Sequence, residues 1–363
     1  MLSRSLNCWH GIAPDDCDRS VSPEGRSGRR PTAWPGSERG LGCIPCLARR
    51  LPLPAILGLC LVLTGGCGSR EETAAPPPPA PPPLMVQVTS WPLLEFTRAV
   101  AGSDLTVEPA GPRKSLSRLW RPAASSARRM QQANLLLFSG AGYEPWKDRV
   151  SLPTSRLVDT SLGYTDQLMR IPDAVVHQHG PSGAHSHPCV VWATWLDPEL
   201  AMSQLRQVAI ACTKLLPQKS AEFAARAARL QAELQAIDDQ LVKLAEKKTS
   251  EDLQVFGDTP YYLYLTRRLG WNLNYLHWPE ESEPVSRSHR DELQQRMAGH
   301  SGGIFLMLAG RDAATADWVE STGLRVIRID VCEKMSDNGE SITERMRSNL
   351  LRLAQLPEAN VIP

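Results

Sequence analysis

Residues 220–248, SAEFAARAARLQAELQAIDDQLVKLAEKK, run without a proline or glycine through strong helix formers. Phe223, Leu230, Leu234, Ile237, Leu241 and Leu244 recur at helical spacing, so the segment predicts one amphipathic helix. At about 1.5 Å per residue it is a rod of roughly 40 Å, as long as a whole domain is wide. A chain of 363 residues can build about two cores, and such a rod is suited to linking them. A coiled-coil seam is the alternative reading, limited by a length of only about four heptads.

The segments on either side have α/β character. MVQVTSWPLLEFTRAVAG (85–102) predicts a short strand followed by a helix ending near Gly102, and LTVEPAG predicts a second strand and a turn. SSARRMQQANLLLFSGAG (125–142) predicts a helix leading into Leu135–Phe138, a wholly apolar strand stopped at Ser139-Gly140. A strand apolar on both faces and placed between helices belongs in a parallel sheet covered on both sides. DPELAMSQLRQVAIACTKLLP (197–217) predicts a further helix before the long one. Beyond the rod, LQVFGDTPYYLYLTRRLG (253–270), the apolar run GGIFLMLAG (302–310), a helix closed by Gly323, a strand over 324–331 and a helix from about Ser341 to Leu356 repeat the pattern. The expected fold is therefore α/β in two lobes, each a mostly parallel sheet with flanking helices. The expected divisions are an N-terminal lobe at 85–218, a linking helix at 219–248 and a C-terminal lobe at 249–363.

Upstream, Arg49 and Arg50 precede an apolar run of about a dozen residues that ends in Leu63-Thr64-Gly65-Gly66-Cys67. A spanning helix needs roughly 20 apolar residues, so 49–67 reads as a secretory signal. Its end resembles a bacterial lipobox, in which Cys67 would be lipidated, anchoring an exported protein to a bacterial membrane and facing the periplasm or cell exterior. Residues 1–48 lack apolar periodicity and read as an extension outside the mature protein. The stretch 68–84, with its proline run, predicts an extended polyproline tether. After Cys67 only Cys189, Cys212 and Cys332 remain, enough for one disulfide of undetermined pairing.

The 40 Lys+Arg and 39 Asp+Glu nearly cancel, which disfavours nucleic acid as a partner. No His-Glu-x-x-His, Walker A, Gly-x-Ser-x-Gly or dinucleotide loop occurs, so no enzyme is indicated. The concentrated chemistry is HQHGPSGAHSH (177–187), which holds four of the chain's eight histidines. His177, His179, His185 and His187 form two His-x-His pairs, with Gly180, Pro181 and Gly183 allowing the turn between them. Four neutral imidazoles can meet Zn²⁺ at about 2.0–2.1 Å in a tetrahedral array. Such a capture loop should release metal below about pH 6, as imidazoles near their ordinary pKa of about 6.5 take up protons. His10, His277, His289 and His300 are scattered, and His277 reads as a core or rim residue.

Four stretches in order carry a resemblance: Gly140-Ala141-Gly142-Tyr143-Glu144-Pro145-Trp146; Trp195-Leu196-Asp197-Pro198; the long helix; and Val326-Ile327-Arg328-Ile329-Asp330. Over most of residues 86–360 the chain resembles the solute-binding lipoproteins of zinc and manganese ABC transporters. The resemblance implies two lobes about a rigid helix, a monomer that delivers its ion to an ABC permease, and a cleft holding Zn²⁺, or Mn²⁺, by three histidines and a carboxylate. Laid on that pattern, Arg118, Ala193 and Thr259 occupy the histidine positions, and Asp330 alone matches a ligand. Glu144 and Asp258 are further candidates for the cleft, Asp258 as a substitute oxygen ligand, and Arg118 could pair with Asp330. The reading is thus a zinc-binding receptor with a His-rich capture loop and a degenerate interlobe site. The alternatives are a descendant that acts in surface adhesion or as a zinc buffer, and a cleft changed to take an anion.

Overall fold

The structure, a computed structural model, describes residues 83–112, 118–171, 176–178, 184–186, 189–247, 253–300 and 302–356. The expected signal, Cys67 and the tether lie outside those residues.

The first lobe opens with strand β1 (Met85–Val88) and helix α1 (Trp91–Ala101). Ser90 caps that helix by accepting from the Leu93 amide, and Gly102 ends it at φ 57°, a conformation open to glycine. Strand β2 (Thr106–Pro109), helix α2 (Ala124–Gln132), strand β3 (Leu135–Phe138) and strand β4 (Leu157–Asp159) complete a four-stranded parallel sheet in the order β2-β1-β3-β4. All four residues of β3 are buried, as a central strand covered on both faces must be. Strand β5 (Arg170–Ile171) pairs antiparallel with β8 (Cys189–Val190). Between them, β6 (Val176–Gln178) and β7 (Ala184–Ser186) form a hairpin. Helix α3 (Pro198–Leu215) starts at Asp197, whose side chain accepts from the Glu199 amide.

Helix α4 (Ser220–Lys247) is the predicted rod. Its buried stripe of Phe223, Leu234, Ile237, Leu241 and Leu244 joins one hydrophobic core that includes residues of both lobes. It packs on α1 and α3 at one end and on α5 (Leu263–Arg268) and α8 (Ile342–Ala354) at the other. Asp238, buried in the same stripe, is held by Arg268 through bonds of 2.5 and 2.6 Å. In the second lobe, β9 (Val255–Gly257), β10 (Leu273–Tyr275), β11 (Gly303–Leu308) and β12 (Leu324–Ile329) form a parallel sheet in the order β10-β9-β11-β12. Helix α6 (Arg287–Arg296) and helix α7 (Ala313–Glu320) complete it. Strands β4 and β10 and helix α6 were not foreseen, since the first two are three residues long and the third buries only Leu293.

Of the three cysteines that could supply one disulfide, Cys212 and Cys332 are free thiols and both are buried. Burial pushes the Cys212 thiol up to about 12, so it stays protonated and inert. Burial raises the Cys332 thiol likewise.

Candidate functional site

Parallel sheets bring side chains together beyond the C-terminal ends of their strands. In the first lobe the β3 end turns at Gly140, φ 69°, where an added Cβ would fall 1.8 Å from the Asp159 carboxylate. Ala141 and Gly142 follow at φ 50° and 74°, and this left-handed run presents Tyr143. Glu144 is tied down in the same turn. It accepts from the Ser139 amide at 2.8 Å, the Gly140 amide at 3.1 Å and the Thr89 hydroxyl. Both oxygens of Glu144 thus already accept hydrogen bonds from the turn that carries it.

Burial dominates the amide bonds to Glu144 and lifts its carboxyl to about 7, from an ordinary 4.5. The folded state thus holds this proton more tightly than the unfolded chain. The resulting stability is fully present below about pH 4.5 and is lost as pH rises through 7, within a bound of about 3 kcal/mol at 1.36 kcal/mol per pH unit. Thermal unfolding should accordingly give a lower midpoint at pH 7.5 than at pH 5.5. Glu144→Gln should flatten that slope, and an unchanged slope would refute the assignment.

The remaining candidates are also engaged. Asp258 is fully buried: its carboxylate accepts from Arg311 Nε at 3.0 Å, the Leu308 amide at 3.1 Å and the Tyr262 hydroxyl at 2.8 Å. Burial raises its carboxyl and Arg311 opposes the rise. Thr259 caps a short turn by accepting from the Tyr261 amide at 2.9 Å. Ala193 is buried against the tryptophans on either side of it in sequence. Asp330, expected from the resemblance as a ligand, is gripped at both oxygens by Arg345, at 2.7 Å each, and Oδ1 also accepts from the Cys332 amide at 2.8 Å. The expected pairing of Arg118 with Asp330 is thus corrected in favour of Arg345.

Arg118 lies elsewhere in the same junction, only 5 % exposed. Its main-chain amide donates to Glu333 Oε1 at 2.7 Å, and the Tyr143 hydroxyl donates to that oxygen at 3.3 Å. Around these, Tyr143 packs against Trp192 and Trp195 at 5.5 and 5.7 Å within the first lobe, and Trp192 meets Tyr261 of the second at 4.4 Å. Trp195 Nε1 donates to the Val331 carbonyl at 2.8 Å, and Arg267 reaches across to Asp197 at 2.7 Å. Beside the junction is a cavity of about 280 Å³ lined by Tyr261, Glu280, Asp330, Glu333 and Lys334 among others. Glu280 and Glu333 are both pushed up by burial, and the Arg118 guanidinium lowers both. Sequence reasoning passed over Trp192, Glu280 and Glu333. The available signal was an acidic residue just beyond the last strand, three positions after Asp330.

The backbone register of the hairpin places His177 opposite His185. His179 and His187 fall outside the described residues. Among the described residues no group of three or more His, Cys, Asp or Glu side chains is arranged to hold a metal ion. His277 sits edge-on to Tyr275 at 5.5 Å, and burial lowers its pKa, as befits a rim residue.

Two parallel-sheet lobes closing on each other across one bridging helix define the class of bilobal solute-binding receptors. The chain belongs to the ZnuA family, zinc-uptake complex component A periplasmic, whose model matches residues 86–356. That family consists of transport receptors, not enzymes. The zinc-binding lipoprotein AdcA of Streptococcus pneumoniae is 23 % identical over 189 residues, which is 50 % of this chain and 36 % of the relative, so the chain spans about a third of that protein's length. Among solved structures, the metal-dependent lipoprotein YcdH of Bacillus subtilis superposes with a TM-score of 0.61 at 20 % identity, covering 75 % of this chain and 98 % of the other. FpvC of Pseudomonas aeruginosa, solved with Mn²⁺, gives 0.62 at 15 % identity, with 75 % and 97 % covered.

Proposed function

We propose that the chain is an exported, lipid-anchored receptor that takes up a divalent metal ion, Zn²⁺ before Mn²⁺, for an ABC permease. In this reading the histidine segment 177–187, and not the interlobe junction, captures the ion. The divisions at 49–67, 68–84, 85–218, 219–248 and 249–363, lipidation at Cys67 and a monomeric state belong to it.

The observation that carries the proposal is the state of the junction. The positions expected to bind metal hold Arg118, Ala193 and Thr259, and Asp330 is chelated by Arg345. A dication there would have to displace the Arg345 guanidinium from both oxygens of Asp330. The capture segment needs no such displacement. The antiparallel register sets His177 across from His185, so part of the ordering cost of about 1–2 kcal/mol per residue is already met for those two positions.

Calorimetric titration with Zn²⁺ tests the reading. The full chain should bind at pH 7.5 and lose binding below about pH 6, as imidazole protonation competes with the metal. Changing His177, His179, His185 and His187 together to alanine should weaken binding by a factor of about a hundred or more. One tight site surviving that change would place the metal in the junction and reject the proposal. No heat with either protein would favour a family descendant that acts in adhesion.

A further inference from the structure

We infer that the first lobe carries a further binding site: a basin of about 520 Å³ beside the start of α2, where Arg121, Arg128 and Arg129 receive a phosphate group. It shares no residue with the capture segment or with the cavity beside the junction, so neither reading depends on the other. Over the whole chain the charges nearly cancel, yet between Glu108 and Glu144 lie Arg113, Lys114, Arg118, Arg121, Arg128 and Arg129 and no acidic residue. The lining of the basin likewise includes no carboxylate. Among the described residues, none of its guanidinium groups forms an ion pair. Like charges gathered without a counter-charge repel one another, and an anion arriving from outside relieves that repulsion.

The walls are fixed while donors are left over. Trp120 lies against Gly111, where an added Cβ would fall 2.6 Å from the indole, and it meets Trp146 edge-on at 5.3 Å. Arg121, next in the chain, is folded back on its own turn: Nη1 donates to the carbonyls of Arg118, Leu119 and Trp120 at 3.5, 3.2 and 3.3 Å. Its Nε and Nη2 have no acceptor among the described residues. Arg129 Nη2 donates to the Ala110 carbonyl and the Ser126 hydroxyl, both at 3.5 Å, and Arg128 is exposed with no side-chain bond among the described residues. Ser126 is only 6 % exposed and lines the basin, and its own hydroxyl proton has no acceptor among the described residues, although buried donors are ordinarily paired. The first turn of α2, to which Ala123 offers no side-chain cap, adds its amides as a lesser contribution. Successive helical positions point about 100° apart, so Arg128 and Arg129 approach from different sides, with Arg121 coming from the preceding turn. Planar forks arriving from several directions suit the tetrahedral oxygens of phosphate better than the flat pair of a carboxylate.

Calorimetric titration of the purified full chain with inorganic phosphate, with no metal added and ionic strength held constant with chloride, tests this. Phosphate should bind and chloride should not. Arg128→Gln removes a side chain that bonds nothing in the fold, and it should weaken phosphate binding about tenfold, as expected for loss of a charge-assisted contact. Adding Arg121→Gln should weaken it about tenfold again. Arg229→Gln, which removes the same charge from an exposed position on α4, should leave binding unchanged. The same variants sedimented with phosphatidylglycerol or phosphatidylcholine vesicles separate the two sources of phosphate. Heat from inorganic phosphate that Arg128→Gln reduces supports a free phosphate ligand. Preference for phosphatidylglycerol that Arg128→Gln reduces and Arg229→Gln does not, without heat from inorganic phosphate, supports a lipid headgroup. Neither heat nor vesicle preference would overturn the inference. So would an equal response to phosphate and chloride, unchanged binding by Arg128→Gln, or an equal loss with Arg229→Gln, since diffuse charge and not a site would then be at work.

Discussion

Asp258→Ala should cost about 3–5 kcal/mol of unfolding free energy in chemical denaturation, the range for removing one partner of a buried ion pair. Both Asp258 and Arg311 have side chains with 0 % exposure. Alanine would leave the Arg311 guanidinium facing apolar neighbours that include Trp278, whose ring centre lies 5.7 Å from it. It would also orphan the Leu308 amide on β11 and the Tyr262 hydroxyl. Arg311→Met should cost a similar amount by stranding the carboxylate. The double change should cost clearly less than the two single losses added together, because neither charge is then left alone. A loss for Asp258→Ala of under about 1 kcal/mol would show the pair to be solvated.

Trp195→Ala should cost about 3–5 kcal/mol, the range for deleting a buried aromatic side chain. Trp195 is completely buried, meets Tyr143 edge-on and Trp192 at a tilt, and spans the lobes through its bond to the Val331 carbonyl. Its loss opens a cavity at the point where the two lobes share their core. Trp195→Phe keeps much of the ring and forfeits the indole bond, so it should cost less, with about 1 kcal/mol from that bond. Denaturation followed by tryptophan fluorescence and by far-ultraviolet dichroism would show both effects. If the lobes depend on each other through this contact, the wild type unfolds in one transition and Trp195→Ala broadens it. A loss near zero would mean that the lobes are joined by α4 alone.

The parts of the fold that could be read in advance share one property: their signal is local. The α4 rod declares itself by unbroken helix formers and a repeating apolar stripe, and it was found at Ser220–Lys247. Strands β3 and β11 declare themselves as continuous apolar runs, and both lie inside their sheets. The candidate site was less legible. Asp330 follows a parallel strand at a position that suits a ligand, yet its partner is fifteen residues on, at the start of α8. Only the docking of α8 along β12 decides that Arg345 reaches it. Glu144 and Asp258 likewise have the chemistry of ligands in isolation, and they are consumed by amides and hydroxyls that lie close only in the folded chain.

From sequence alone came the two-lobe α/β plan, the bridging helix and the family resemblance, because residue type and periodicity are properties of short stretches. The tertiary structure alone decided which charges meet: Arg345 with Asp330 and Arg311 with Asp258. Ion pairing depends on separations of a few Å between side chains that may be far apart along the chain, so no local pattern encodes it.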